Sequence, residues 1–146
     1  MCFVCGVENP AGLHLKMYEL DQGIIETTFI APQYFQSYPG VLHGGIVASI
    51  LDEVSGRTLM GDPSNPRFML TAKLEVKYRK NVPIGKTLRI VGKAGKIKGR
   101  MAEGWAGIYD ESGTLLAEGN SLLVDVPPEL LDNVDPNDLG WKIYPD

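Results

Sequence analysis

The chain has 146 residues, of which 44% are hydrophobic and 22% charged. That is the balance of one soluble globular domain and excludes a wholly disordered or coiled-coil chain. The 14 Lys and Arg against 18 Asp and Glu leave a net charge of −4, which argues against a general nucleic-acid binder, because such a protein needs a basic face to displace counterions. No apolar run approaches the ~20 residues of a bilayer span. Met1-Cys2-Phe3-Val4-Cys5 lacks the basic start and long apolar stretch of a secretory leader, so the expected protein is cytoplasmic and free of the membrane.

Residues 1–12 carry Cys2-x-x-Cys5 ahead of Asn9-Pro10-Ala11-Gly12. A structural disulfide is not expected in the cytosol. Zinc needs about four ligands, and only His14 and His43 could add nitrogens. A redox Cys-x-x-Cys normally opens a helix after a strand, whereas this one precedes a turn. The segment therefore reads as an N-terminal turn with no metal. A zinc site shared with carboxylates or a second chain, or a redox role, is the rival that metal analysis and thiol titration would expose.

Leu13–Glu19 and Ile24–Ile30 are β-prone runs around Asp21-Gln22-Gly23, the pattern of a hairpin. Residues 31–42 form a loop rich in Pro, Gly, Tyr and Gln. From Gly44 to about Met60 the apolar spacing becomes helical, with Ile46, Val47, Ile50, Leu51, Val54 and Thr58 on one side and the small Ala48, Ser49, Ser55 and Gly56 on much of the other. Such a helix is buried nearly all round. The cluster Gly61-Asp62-Pro63-Ser64-Asn65-Pro66 ends it. Phe68 to Arg79 alternates, with Phe68, Leu70, Ala72, Leu74, Val76 and Tyr78 on one face and Met69, Thr71, Lys73, Glu75, Lys77 and Arg79 on the other. Three more strands follow at Thr87–Lys98, Met101–Tyr109 and Thr114–Val124, the last two joined by the hairpin loop Asp110-Glu111-Ser112-Gly113. Residues 126–146 are a tail with a short helix at Glu129-Leu130-Leu131. Two strands, one long buried helix and four strands make an α+β domain, with one antiparallel sheet wrapped around the helix.

The chemistry concentrates in Tyr38-Pro39-Gly40-Val41-Leu42-His43-Gly44-Gly45 and the helix it opens. A helix start presents unpaired N–H groups and partial positive charge, and glycine lets a ligand approach them closely. Asp52 stands on a helix otherwise built for burial. An ionised carboxylate there needs a partner or water, so Asp52 is expected to face a polar cleft. Glu53 is a candidate substrate contact, or else suits a solvent-exposed helix end. Gly44 and Asp52 are eight residues apart, about 12 Å along one helix. A single reacting carbonyl therefore reaches Gly44 of one copy and Asp52 of an antiparallel second copy, which predicts a homodimer or homotetramer.

His-Gly-Gly with an acid nine residues after the His resembles the hotdog-fold acyl-CoA thioesterases of the phenylacetyl-CoA thioesterase (PaaI-like) type. The order of elements matches over roughly residues 12 to 124. The opening Cys-Phe-x-Cys-Gly-x-x-Asn-Pro-x-Gly-Leu and the run Tyr-Pro-Gly-x-x-His-Gly-Gly are similar to an uncharacterised branch of these proteins. The resemblance implies a hotdog fold and hydrolysis of an acyl-CoA, with coenzyme A entering as part of the substrate and no other cofactor. It places the N–H that polarises the thioester carbonyl on Gly44, beside Gly45, and the nucleophile or general base on Asp52. A helper hydroxyl on the next strand falls on Thr71. Where some members carry an Asn six residues before the motif His, this chain has Ser37, with Gln36 beside it. His43 orients the loop through a hydrogen bond at the junction or contacts substrate. Lys77, Arg79 and Lys80 are candidates for the CoA phosphates, or else a solvated sheet edge. Tyr34, Phe35, Tyr38 and Met60 are candidates for the acyl pocket. Two rivals remain: a non-catalytic acyl-CoA binding module, and a hotdog hydratase or dehydratase, whose catalytic His is missing from the loop.

Overall fold

In the computed structural model, residues 1–62 and 64–135 are described, so residues 136–146 of the tail lie outside them. One six-stranded antiparallel sheet runs in the order β1-β2-β4-β5-β6-β3. Its strands are β1 (Tyr18–Asp21), β2 (Ile24–Ile30), β3 (Met69–Tyr78), β4 (Thr87–Lys98), β5 (Met101–Tyr109) and β6 (Leu115–Asp125). The long helix α1 (Gly44–Arg57) lies against β5, β6, β3 and β4, and a single turn, α2 (Pro128–Leu131), follows the sheet. This is the α+β arrangement that the alternation and helical spacing predict, and the hotdog fold that the resemblance implies. No helix among the described residues is long and apolar enough to cross a membrane.

The core sits between α1 and the sheet. Val47, Ile50, Leu51 and Val54 of α1 and Leu88, Ile90 and Ile108 of the strands are fully buried. Small residues let the helix settle directly onto the strands. Gly92 on β4 pairs with Ala106 on β5, which pairs with Gly119 on β6, so a shallow trough crosses three strands. Gly104 lies beside it, under the Ser55 carbonyl. A Cβ added at Gly104 would stand 2.6 Å from that oxygen, closer than any real contact. Gly104→Ala therefore forces the helix off the sheet. We expect a loss of about 1–3 kcal/mol, seen as a fall of several degrees in the thermal midpoint.

Four local features differ from the expectation. The first strand begins at Tyr18 rather than Leu13, because Leu13 and Leu15 spend their N–H groups on the carbonyls of Phe3 and Val4 and so tie down the N-terminal segment. The helix ends at Arg57, short of Met60, where the Thr58 hydroxyl donates to the Ser55 carbonyl at 2.6 Å and the N–H groups of Leu59 and Met60 switch to three-residue bonds. Ser55 is fully buried instead of lying opposite the apolar side, and the Ser121 hydroxyl donates to its oxygen at 2.8 Å.

The fourth difference shapes the site. Thr71 pairs with Leu123 and Lys73 with Leu122, so Ala72 is an extra residue, a bulge in β3. One inserted residue reverses the facing of everything before it. Thr71 therefore leaves the face of Lys73, Glu75 and Lys77 and turns toward α1. Met69 joins a small core with Leu59, Ala102 and Leu123, while Leu70 becomes exposed.

Candidate active site

Helix α1 begins at Gly44 because His43 caps it. The His43 backbone is extended, and its Nδ1 accepts the Gly45 N–H at 2.9 Å. Accepting at Nδ1 leaves the proton of the neutral ring on Nε2. The hydrogen bond spends the Gly45 N–H but not the Gly44 N–H, which meets no protein acceptor among the described residues. The Gly44 carbonyl accepts from the Tyr78 hydroxyl at 2.6 Å, which ties the start of α1 to β3. The preceding loop holds itself. Gln36 Oε1 accepts the Gly40 N–H at 3.2 Å, the Ser37 hydroxyl donates to the Val41 carbonyl at 3.4 Å, and the His43 N–H donates to the Phe35 carbonyl at 2.9 Å. Gln36 and Ser37 thus act first on the shape of the loop.

Two turns further along α1, Asp52 is half-buried, and its Oδ1 accepts from the Thr71 hydroxyl at 2.7 Å. The bulge at Ala72 makes this contact available. Both residues line a cleft of about 310 Å³ with Glu53, Gly56, Arg57, Met60, Arg67, Met69, Leu70 and Leu123. The cleft combines a carboxylate held by one hydroxyl with the apolar side chains of Met60, Met69, Leu70 and Leu123 and the charged ones of Glu53, Arg57 and Arg67.

Glu53 is not the exposed residue that the helix end suggests. Arg57 Nε donates to its Oε1 at 3.3 Å, and the Cys2 thiol donates to its Oε2 at 3.8 Å, because the N-terminal segment folds across this turn. Arg57 is buried, with only 8% of its side chain exposed, and reaches Cys5 Sγ at 3.2 Å and Met60 Sδ at 3.4 Å. Burial, with the charge of Glu53 added, pushes the Cys5 thiol up to about 12. At the cleft's other wall Arg67 donates to Asp125 at 2.6 Å and to the Gly99 carbonyl at 2.8 Å. Its hydrogen bond holds the Asp125 carboxyl below the usual carboxylate range, so that contact is present above the ordinary pKa and is lost as the pH falls through the lowered one.

Lys77, Arg79 and Lys80 are exposed, and none lines this cleft. Lys77 and Arg79 alternate with Tyr78 and so face away from α1. Arg79 is committed to Glu118 at 2.7 Å. Of the acyl-pocket candidates, Met60 lines the cleft, Tyr34 and Phe35 line a separate groove with Phe29 and Pro32, and Tyr38 is exposed. Tyr78, Arg57 and Arg67 are site residues that sequence reasoning missed. Only Arg57 carried a signal, its spacing of four from Glu53.

The family profile of the thioesterase superfamily matches residues 39–117, from the loop before His43 through α1, β3, β4 and β5 to the start of β6. The chain belongs to the thioesterase superfamily. Bovine (Bos taurus) acyl-coenzyme A thioesterase THEM4 is 27% identical over 130 residues, covering 87% of this chain and 52% of that protein. The chain spans about half the length of the curated relatives it matches. A solved thioesterase superfamily protein, RHA08564, superimposes with a TM-score of 0.73 at 26% identity, over 80% of this chain and 59% of that one. The PaaI protein of the E. coli phenylacetic acid degradation operon superimposes at 0.70 with 13% identity, over 79% and 81% of the two chains, a likeness of fold. In this superfamily chain, the matched stretch contains His43, Gly44, Gly45, Asp52, Glu53, Met60, Thr71, Lys77, Arg79 and Lys80, while Tyr34, Phe35, Gln36, Ser37 and Tyr38 lie before it.

Proposed function

We propose that the protein is an acyl-CoA thioesterase, hydrolysing its substrate to a carboxylate, free coenzyme A and a proton. The observation that carries this reading is the Asp52 carboxylate, gripped by Thr71 at the mouth of a cleft, on the same helix whose first N–H is left open. The superfamily membership and the THEM4 likeness support it.

The Gly44 N–H would receive the negative charge that grows on the thioester oxygen, aided by the positive end of α1. Asp52 attacks the carbonyl carbon, or takes a proton from the water that does. Thr71 positions the carboxylate through its hydroxyl. Because Gly44 and Asp52 lie about 12 Å apart on one helix, each site takes Gly44 from one copy and Asp52 from another. Strand β3 favours this assembly. It is a ten-residue edge strand carrying both Thr71 and the Tyr78 anchor of Gly44. A long edge strand presents unpaired N–H and C=O groups to a second copy. Lys80, just beyond the Tyr78 end of β3, is the candidate for the CoA phosphates, whereas Lys77 faces away from α1 and Arg79 is held by Glu118.

A free-thiol release assay on short, medium, long and aromatic acyl-CoAs tests the reading. Turnover of at least one class is expected. Tight CoA binding without turnover of any class would favour the non-catalytic binding module. The positioning role of Thr71 has its own test. Thr71→Val removes a hydrogen bond to a charged oxygen and is expected to lower kcat about 10- to 100-fold with little change in KM. Thr71→Ser, which keeps the hydroxyl, is expected to restore most of it.

A further inference from the structure

The N-terminal cysteines are held more firmly than a loose turn would hold them. The Gly6 N–H donates to the Cys2 carbonyl at 3.0 Å, and the Cys5 N–H approaches Cys2 Sγ at 3.5 Å. A Cβ at Gly6 would lie 2.5 Å from the Cys2 carbonyl oxygen, so only glycine closes this turn. The strip Leu13–Leu15 bonds to Phe3 and Val4, and the Asn9 side chain donates to the Met1 carbonyl at 3.0 Å. The turn thus aims both sulfurs at one place on α1, the Glu53 carboxylate.

There the ligand atoms of Cys2, Cys5 and Glu53 all lie within 4.8 Å of one another, with Cys2 Sγ 3.8 Å from Glu53 Oε2. Zinc about 2.3 Å from sulfur and 2.0 Å from oxygen sets tetrahedral ligand atoms roughly 3.5–4 Å apart. The cluster is therefore within small side-chain adjustments of a coordination shell. Two thiols, a carboxylate and a guanidinium are also a costly choice for simple packing of a half-buried corner. Charge explains the set. Without metal, Glu53 and Arg57 sum to zero. If one divalent cation replaces the two thiol protons, two thiolates, the carboxylate, the metal and Arg57 again sum to zero. Arg57, already 3.2 Å from Cys5 Sγ, would then donate to a metal-bound thiolate.

We propose that Cys2, Cys5 and Glu53 bind a zinc ion that fastens the N-terminal segment to α1 behind the Asp52 cleft. Two thiolates and a carboxylate suit zinc among the common divalent ions, and water completes the fourth position. Each zinc bound releases two thiol protons to solvent. The proposal departs from the metal-free expectation for Cys2-x-x-Cys5, and it does not depend on the thioesterase reading. The ligand that completes the pattern, Glu53, lies 48 residues after Cys5 on another element, and so escapes any search for local spacing.

The 146-residue chain, reduced and stripped with a chelator, is titrated with Co²⁺ and then Zn²⁺. One Co²⁺ per chain is expected, with thiolate-to-cobalt charge-transfer absorption and the visible bands of a four-coordinate ion, both removed by one equivalent of Zn²⁺. Zinc is expected to raise the thermal midpoint. Cys2→Ser and Cys5→Ser should each lose the two-thiolate spectrum, and Glu53→Gln should weaken binding by at least about tenfold. The wild-type spectrum needs no variant, so a variant that fails to fold leaves the test intact. Wild-type chain with two titratable thiols and no charge-transfer band would overturn the proposal. So would cobalt binding that survives in the Cys2→Ser/Cys5→Ser double variant. Protein purified without reductant that carries a Cys2–Cys5 disulfide and no metal would overturn it equally.

Discussion

Asp52→Asn is expected to cut kcat on the best acyl-CoA by about 10²–10⁴-fold, the usual contribution of a general base, with KM changing far less. Asparagine matches the shape of aspartate and still accepts the Thr71 hydroxyl, so the wall of the cleft survives. What it cannot do is attack a carbonyl or take a proton from water. A loss confined to kcat therefore reports the chemistry and not the packing. Steady-state kinetics beside a thermal melt separate the two: an unchanged melt with collapsed kcat is the expected pair. Full activity in Asp52→Asn would remove Asp52 from the reaction.

Gly44→Pro is the second large effect. It deletes one N–H and little else. Proline is favoured at the first position of a helix, where it breaks no helical hydrogen bond. The preceding residue, His43, already has φ −58 and ψ 132, the backbone that proline requires before it. An atom at the Cβ position of residue 44 would meet the Tyr78 hydroxyl at 3.5 Å, an ordinary contact. The helix should therefore form, lacking only the donor proposed to meet the thioester oxygen. Removal of one such donor lowers kcat about 10²–10³-fold. Gly44→Ala keeps the N–H and is expected to stay within a few fold of wild type. Equal losses in the two variants would mean that space at residue 44 matters and the N–H does not.

The sequence makes some of this arrangement legible and hides the rest for physical reasons. Helix α1 is readable because its apolar spacing is set by a single core, and the strands because alternation follows one buried face. The Gly44 helix start and the Asp52 carboxylate stand out as departures from those patterns. Thr71 is different. Its resemblance-based role requires that it face α1, yet simple alternation puts it with Lys73 and Glu75 on the other face. The bulge that turns it round arises from pairing with β6, a strand some fifty residues later, and leaves no local mark beyond the small Ala72. Ser55 and Gly104 form a close helix-to-sheet contact that only the assembled layers define. Arg57 and Glu53 look like a solvated pair at a helix end until the N-terminal segment is laid over them. Long-range pairing decides each of these cases.

The central claim is that one copy supplies Gly44 and another supplies Asp52 to the same site. Co-expressing Asp52→Asn and Gly44→Pro chains tests it most directly. Each variant alone is expected to be nearly inactive. In a randomly assorted two-fold dimer, half of the molecules are mixed, and each mixed dimer holds one site with both lesions and one with neither. The account predicts recovery of about a quarter of wild-type turnover in the mixture, carried by the isolated mixed dimer. A purified mixed dimer no more active than its inactive parents would contradict it, because Gly44 and Asp52 would then act, if at all, within one chain.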